Sequence, residues 1–100
     1  MRYTFEWDPM KARENLRKHG ISFECAAEIF LDPLAISVLD QEHSDEEIRW
    51  VTIGRDSPGS VLVLVHTFSE VSPEECGIRV ISARKADKRE ATQYYEESER

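Results

Sequence analysis

The sequence predicts an α+β domain: one strand, two helices, an antiparallel β meander and a closing helix. Three observations carry that expectation. Apolar residues alternate at the start of the chain, as Tyr3, Phe5 and Trp7. They recur at helical spacing through residues 9–30 and return to a period of two from Ala35 onward. Asp87 and Glu90 then have the spacing of a capping box, which opens a last helix after a strand over residues 78–82. With 100 residues, 40% hydrophobic and 33% charged, the chain can build one small core and not two, so a single domain over residues 1–100 is expected.

Each element has a local cause. Residues 2–7 read as a strand, with Thr4 and Glu6 opposite the aromatic face. Asp8 suits an N-cap and Pro9 the first helical turn, where its missing N–H costs nothing. That helix should run to about His19 and stop at Gly20, a good C-cap residue. Ser22 begins a second helix, whose Phe23, Ala26, Ala27 and Phe30 share one face until Asp32-Pro33 ends it. Strands over residues 35–40 and 48–55 flank a polar, acid-rich loop, and residues 54–59 have turn composition. Residues 61–66 are continuously apolar up to His66, the mark of a strand buried on both faces. Residues 70–77 lack periodicity and are expected to be loop. Short connections between successive strands favour antiparallel pairing. Ala91, Tyr94 and Tyr95 allow the last helix to pack back.

The net charge of −7 is unevenly spread. Residues 1–30 are neutral, residues 31–76 carry −8 and residues 77–100 carry +1. The bases cluster, first at Lys11, Arg13, Arg17 and Lys18, and again at Arg79, Arg84, Lys85, Lys88 and Arg89. The second cluster spans a strand end and a helix start, where cations and free backbone N–H groups would suit a phosphate. An acidic chain argues against tight general binding to nucleic acid and leaves a local basic site open. No run approaches the roughly 20 apolar residues of a membrane helix, and the first residues lack the apolar core of a signal peptide. Cys25 and Cys76 lack metal spacing and are expected to be reduced in a cytoplasmic protein.

Residues 5–9 (Phe-Glu-Trp-Asp-Pro), Lys11-Ala12, Asn15, residues 18–23 (Lys-His-Gly-Ile-Ser-Phe), Ala26 and residues 30–33 (Phe-Leu-Asp-Pro) resemble the BrnT family. So do Glu47-Ile48-Arg49, Ile53-Gly54, residues 79–86 (Arg-Val-Ile-Ser-Ala-Arg-Lys-Ala), Glu90 and Tyr94. The likeness runs in order along nearly the whole chain. It implies a type II toxin with a compact RelE-like fold and a metal-independent endoribonuclease activity that halts translation. It also implies neutralisation by a BrnA-like ribbon-helix-helix antitoxin, and contact with operator DNA only through that antitoxin. A homodimer within the complex is a further expectation; no cofactor, metal or membrane is implied.

Such cleavage uses the 2′-hydroxyl of the RNA as nucleophile, so the protein supplies proton transfer and cations for the phosphorane. His19 and His66 titrate near neutrality and are candidates for the first task. Arg49, Arg79, Arg84 and Lys85 are candidates for the second, with Lys18 completing the expected active edge. Lys11, Arg17, Lys85, Lys88 and Arg89 are the expected RNA-backbone contacts. By alternation Arg49 falls with Val51 and Ile53, and Glu47 or a substrate phosphate would be its partner. Plainer readings stand beside these: Lys18 and His19 as a helix C-terminus, His66 as a structural core residue, Arg84 and Lys85 as solvated cations. A metal site from His43, His66 and a carboxylate has no recognised spacing, and His43 is given no role.

One departure stands out. Where the family ends its central strand in a Thr-Glu-Arg type sequence, this chain has Thr67-Phe68-Ser69, so an arginine expected near the active edge is missing. Two further functions therefore stand beside the ribonuclease: a degenerate toxin that binds antitoxin without cutting RNA, and an operon co-repressor.

Overall fold

The computed structural model describes residues 2–42 and 47–98. The chain runs β1 (Arg2–Glu6), α1 (Pro9–His19), α2 (Phe23–Ala26), a 3₁₀ turn (Ala27–Leu31), β2 (Ile36–Leu39), β3 (Trp50–Arg55), β4 (Val61–Ser72), β5 (Glu75–Lys85) and α3 (Lys88–Ser98). The five strands form one sheet in the order β1-β5-β4-β3-β2. β2 to β5 form an antiparallel meander, and β1 lies parallel to β5 at the far edge. The fold is thus α+β with a mixed sheet.

Local chemistry sets the helix ends. Asp8 accepts from the Met10 N–H at 2.9 Å, and Gly20, at φ 70°, donates its N–H to the Leu16 carbonyl at 2.8 Å. At the other end of the chain the capping box forms in both directions. The Glu90 N–H donates to Asp87 Oδ1 at 2.8 Å, and the Asp87 N–H donates to Glu90 Oε1 at 2.9 Å.

Two sequence expectations need correction. The helix begun at Ser22 is α-helical for one turn and then tightens into 3₁₀ geometry. Asp32 precedes a proline and adopts an extended backbone (φ −76°, ψ 114°), so the ladder cannot continue through it. Residues 70–77, expected as loop, mostly form the outer part of a long β4–β5 hairpin, with Ser69 opposite Gly77 and Glu70 opposite Cys76. This arm is largely exposed, so nothing selects for apolar alternation, and its polar composition hides the pairing.

The core lies between the helices and one sheet face. Ile21, Phe23, Ala26 and Ile29 pack on Leu62, Leu64, Ile78, Val80 and Ala83. Val80 and Ala83 are three apart, yet both face the core. Val65 pairs with Ser82 and His66 with Val80, which makes Ile81 the extra residue of a bulge. The bulge switches the strand's alternation midway.

Two buried polar anchors hold helices to the sheet. β1 ends opposite Arg79, leaving the outer backbone edge of β5 bare at Ala83. The Asn15 side chain of α1 fills that place as a strand would. Its Oδ1 accepts from the Ala83 N–H at 3.0 Å, and its Nδ2 donates to the Ala83 and Ile21 carbonyls at 2.8 and 3.0 Å. On α3, the buried Tyr94 hydroxyl donates to Asp32 Oδ2 at 2.5 Å, while Asp32 also accepts from the Leu34 and Arg55 N–H groups. Burial first, and then this hydrogen bond, push the Tyr94 hydroxyl up to about 12, so it stays a donor. No helix among the described residues is long and apolar enough to cross a membrane.

Candidate active site

The face of the sheet opposite α1 and α2 is defined by its register, and α3 meets its Arg84 end through Glu90. Val63 pairs with Arg84, Val65 with Ser82 and Thr67 with Arg79, while Val51 and Ile53 of β3 pair with Val65 and Val63. Arg49 precedes β3 with the same parity as Val51 and Ile53. The face therefore carries a valine-rich centre with arginines around it.

Glu47 joins two of those arginines. Its Oε2 accepts from Arg79 Nη2, and its Oε1 lies 3.6 Å from Arg49 Nη2. Both arginine side chains are about one-third exposed, at 36% for Arg79 and 32% for Arg49, although the Arg49 Nε atom is itself buried. The Arg79 hydrogen bond, reinforced by the charges of Arg79 and Arg49, holds the Glu47 carboxyl below the usual carboxylate range. Beside Arg79 a cavity of about 210 Å³ opens between β1, β4 and β5, with Thr4, Glu6, Thr67 and Ser69 in its wall. Ser69 thus lies on the same side as Arg79.

A second groove, of about 270 Å³, runs between α1 and β5. Lys11, Lys18 and His19 line it together with Glu14, Ile81 and Ser82. Gly20 ends α1 here, and the Asn15 anchor fixes the helix against Ala83, one residue from Ser82. Along β5, Ser82 falls between Arg79 and Arg84. β5 thus borders both the α1 groove and the cavity beside Arg79.

Other expected residues go elsewhere. Arg84 forms a fork with Glu90, at 2.7 and 2.9 Å, and that hydrogen bond raises the guanidinium above its usual value. The N–H groups of Asp87 and Glu90 are used by the capping box, so the helix start does not offer those donors to a phosphate. Lys88 and Arg89 lie on the first turn of α3 beside a different cavity, with Thr92, Gln93 and Glu96. Lys85 is exposed at the end of β5, and Arg17 is exposed on α1, 3.9 Å from Glu14.

His66 lies in the core with 0% exposure. Its ring sits edge-on to Phe30 and Phe68, at 5.0 and 4.7 Å. Nδ1 is 3.2 Å from the Thr67 carbonyl, which can only accept, so we assign the proton to Nδ1. Nε2 then accepts from the Thr52 hydroxyl at 2.6 Å, and Thr52 in turn accepts from Ser37 at 2.7 Å. Burial pushes the imidazole down to about 4, against a slight upward pull from the Thr67 carbonyl. In the fold it is neutral at pH 7.

A depressed histidine makes the unfolded state the better proton acceptor. Its contribution is therefore complete above about 6.5 and is lost as pH falls from there toward about 4. The unfolding free energy from urea titrations should drop between pH 6.5 and 4.5 with a slope approaching about 1.4 kcal/mol per pH unit. His66→Gln should flatten that slope. Glu47, Glu75 and Glu90, each held below the usual carboxylate range, add their own losses only below about 4.5.

Among the described residues no three metal-ligating side chains come together, and His43 lies outside them. In the sequence Glu47 stands out only as a partner for Arg49. Its place at Arg79, 32 residues away, arises from the sheet, and no spacing signals it. Asn15 carries no signal of its anchoring role.

A small α+β domain with cations from α1, from β5 and from the approach to β3 belongs to the class of proteins suited to hold a phosphodiester. Comparison with known proteins gives the family. Residues 7–90 match the model of the ribonuclease toxin BrnT of type II toxin–antitoxin systems, and the chain belongs to that family. It is similar to the Brucella abortus ribonuclease toxin BrnT, known from a 1.1 Å crystal structure. The two are 26% identical with a TM-score of 0.57, and the match covers 88% of this chain and 100% of the other. No curated protein sequence matches the chain. As a member of a type II toxin family, the chain has an antitoxin as its partner.

Proposed function

We propose that this chain is a cytoplasmic, RelE-like endoribonuclease that cuts RNA without a metal, inhibits translation and is neutralised by a BrnA-like antitoxin. The observation that supports it best is the meeting of Arg49 and Arg79 through Glu47 on one sheet face, with the groove of Lys11, Lys18 and His19 opening further along β5. The two arginines bind the scissile phosphate and stabilise the charge that develops on it. The 2′-hydroxyl of the RNA attacks phosphorus, and Lys18 or His19 protonates the departing 5′-oxygen. Lys11, Arg17 and Lys85 track the flanking backbone, with Lys88 and Arg89 further along the strand. His66 supports the sheet beneath. Operator DNA is met only through the antitoxin, and any homodimer forms within that complex.

A second reading is a toxin that binds antitoxin and does not cut. Ser69 stands where the family has an arginine, and Glu47 occupies both remaining guanidiniums. Induction of the chain alone separates the two. The ribonuclease reading expects growth arrest, relieved by co-expression of the neighbouring antitoxin and abolished in the Arg79→Ala/Arg84→Ala variant. Normal growth with well-expressed, folded protein would establish the second reading.

A further inference from the structure

A phosphate approaching Arg49 and Arg79 meets a carboxylate already in place. Glu47 spans both guanidiniums, one from β5 and one from the approach to β3, and is itself 41% exposed. Among the described residues, the register partners of Arg79 are Glu6 on β1 and the uncharged Thr67 on β4. Among the described residues, Glu47 is the carboxylate in contact with both arginines, and the candidate base His66 has both ring nitrogens engaged inside the core.

From this geometry we infer that Glu47 is the general base of RNA cleavage: the substrate phosphate takes over the two guanidiniums, and the released carboxylate removes the 2′-hydroxyl proton. The inference rests on the ribonuclease reading above. Atoms and charges balance. The 2′-oxygen forms a bond to phosphorus and the bond from phosphorus to the 5′-oxygen breaks, leaving a 2′,3′-cyclic phosphate and a 5′-hydroxyl. The 2′-hydroxyl proton ends on Glu47, and the leaving oxygen takes one from Lys18, His19 or water. No oxidant or reductant takes part.

The arrangement also makes Glu47 basic only when substrate is bound. While it is paired, Arg79 holds its carboxyl low, and a carboxyl so held is a weaker base than a free one. Once the guanidiniums turn to the phosphate, that support is withdrawn, and the negative charge growing on the phosphorane favours a protonated neighbour. Exchange of partners thus switches the base on at the moment it is required.

The test compares purified wild type, Glu47→Gln and Glu47→Asp across pH 4.5–9, cleaving mixed-sequence RNA and binding 2′-O-methyl RNA that cannot be cut. Glu47→Gln should cleave about 10²–10⁴-fold more slowly and lose the acid limb of the pH–rate profile, yet bind the uncleavable RNA at least as well. Glu47→Asp should be slower but keep the limb, which preserves the test if the glutamine variant fails to fold. Cleavage by Glu47→Gln at or above the wild-type rate would reduce Glu47 to an ion-pair partner. A slower Glu47→Gln that keeps the limb, or a folded Glu47→Asp that loses it, would make it a positioning residue. Wild type that cuts no RNA would overturn the ribonuclease reading and this inference together, an outcome distinct from the others.

Discussion

Replacing Asn15 by alanine should destabilise the domain by about 3–5 kcal/mol, the largest stability loss expected of a single substitution here. Three hydrogen bonds vanish at once, and the Ala83 N–H, the Ala83 carbonyl and the Ile21 carbonyl are left in a place the side chain had sealed. Each buried backbone group without a partner costs about 1–3 kcal/mol, with entering water offsetting part of the total. Against the roughly 5–15 kcal/mol that a domain of this size typically has, the loss is severe. A thermal melt should fall by about 15–30 °C. RNA cleavage should fall with it, because α1 carries Lys18 and His19 and is held to β5 through this side chain. A variant that melts like wild type would show that α1 is docked by its apolar face alone.

Arg79→Ala should do the reverse, sparing the fold and removing activity. The side chain is 36% exposed, and a surface ion pair is worth about 0–1 kcal/mol, so the melt should barely move. Cleavage should fall about 10²–10³-fold, the usual cost of one donor aimed at a developing oxyanion. Arg79→Lys keeps the charge and loses the planar fork, so it should recover part of the rate. Arg79 is a cleaner probe than Arg84, because the fork between Arg84 and Glu90 ties Arg84 to the α3 cap.

Features written in adjacent residues are legible in the sequence itself. Asp8-Pro9 and Gly20 bound α1, and Asp87 with Glu90 opens α3, because caps depend on backbone groups two to four positions away. The meander is legible from its short connections. The parallel seat of β1 against β5 is not, since it joins residues more than 70 positions apart and leaves no local signature. The outer hairpin arm is hidden for want of burial, and the 3₁₀ turn because apolar spacing does not distinguish it from α-helix. At the candidate site the same division holds. His66 shares parity with Leu62 and Leu64, so its burial follows from the strand's alternation once the helices are known to cover that face. The link from Glu47 to Arg79 exists only after β3, β4 and β5 align.

Cleavage by the purified chain is the most direct measurement of the central claim, that a phosphodiester is held and cut at the Arg49–Arg79 face. Mixed-sequence RNA would be incubated with wild type and with Arg79→Ala in the presence of a chelator, and the fragment ends identified. The expected result is cleavage by wild type to 2′,3′-cyclic phosphate and 5′-hydroxyl ends, with the rate lost in the variant while its melt is unchanged. Cleavage that Arg79→Ala leaves intact, or fragments bearing 5′-phosphates, would contradict it.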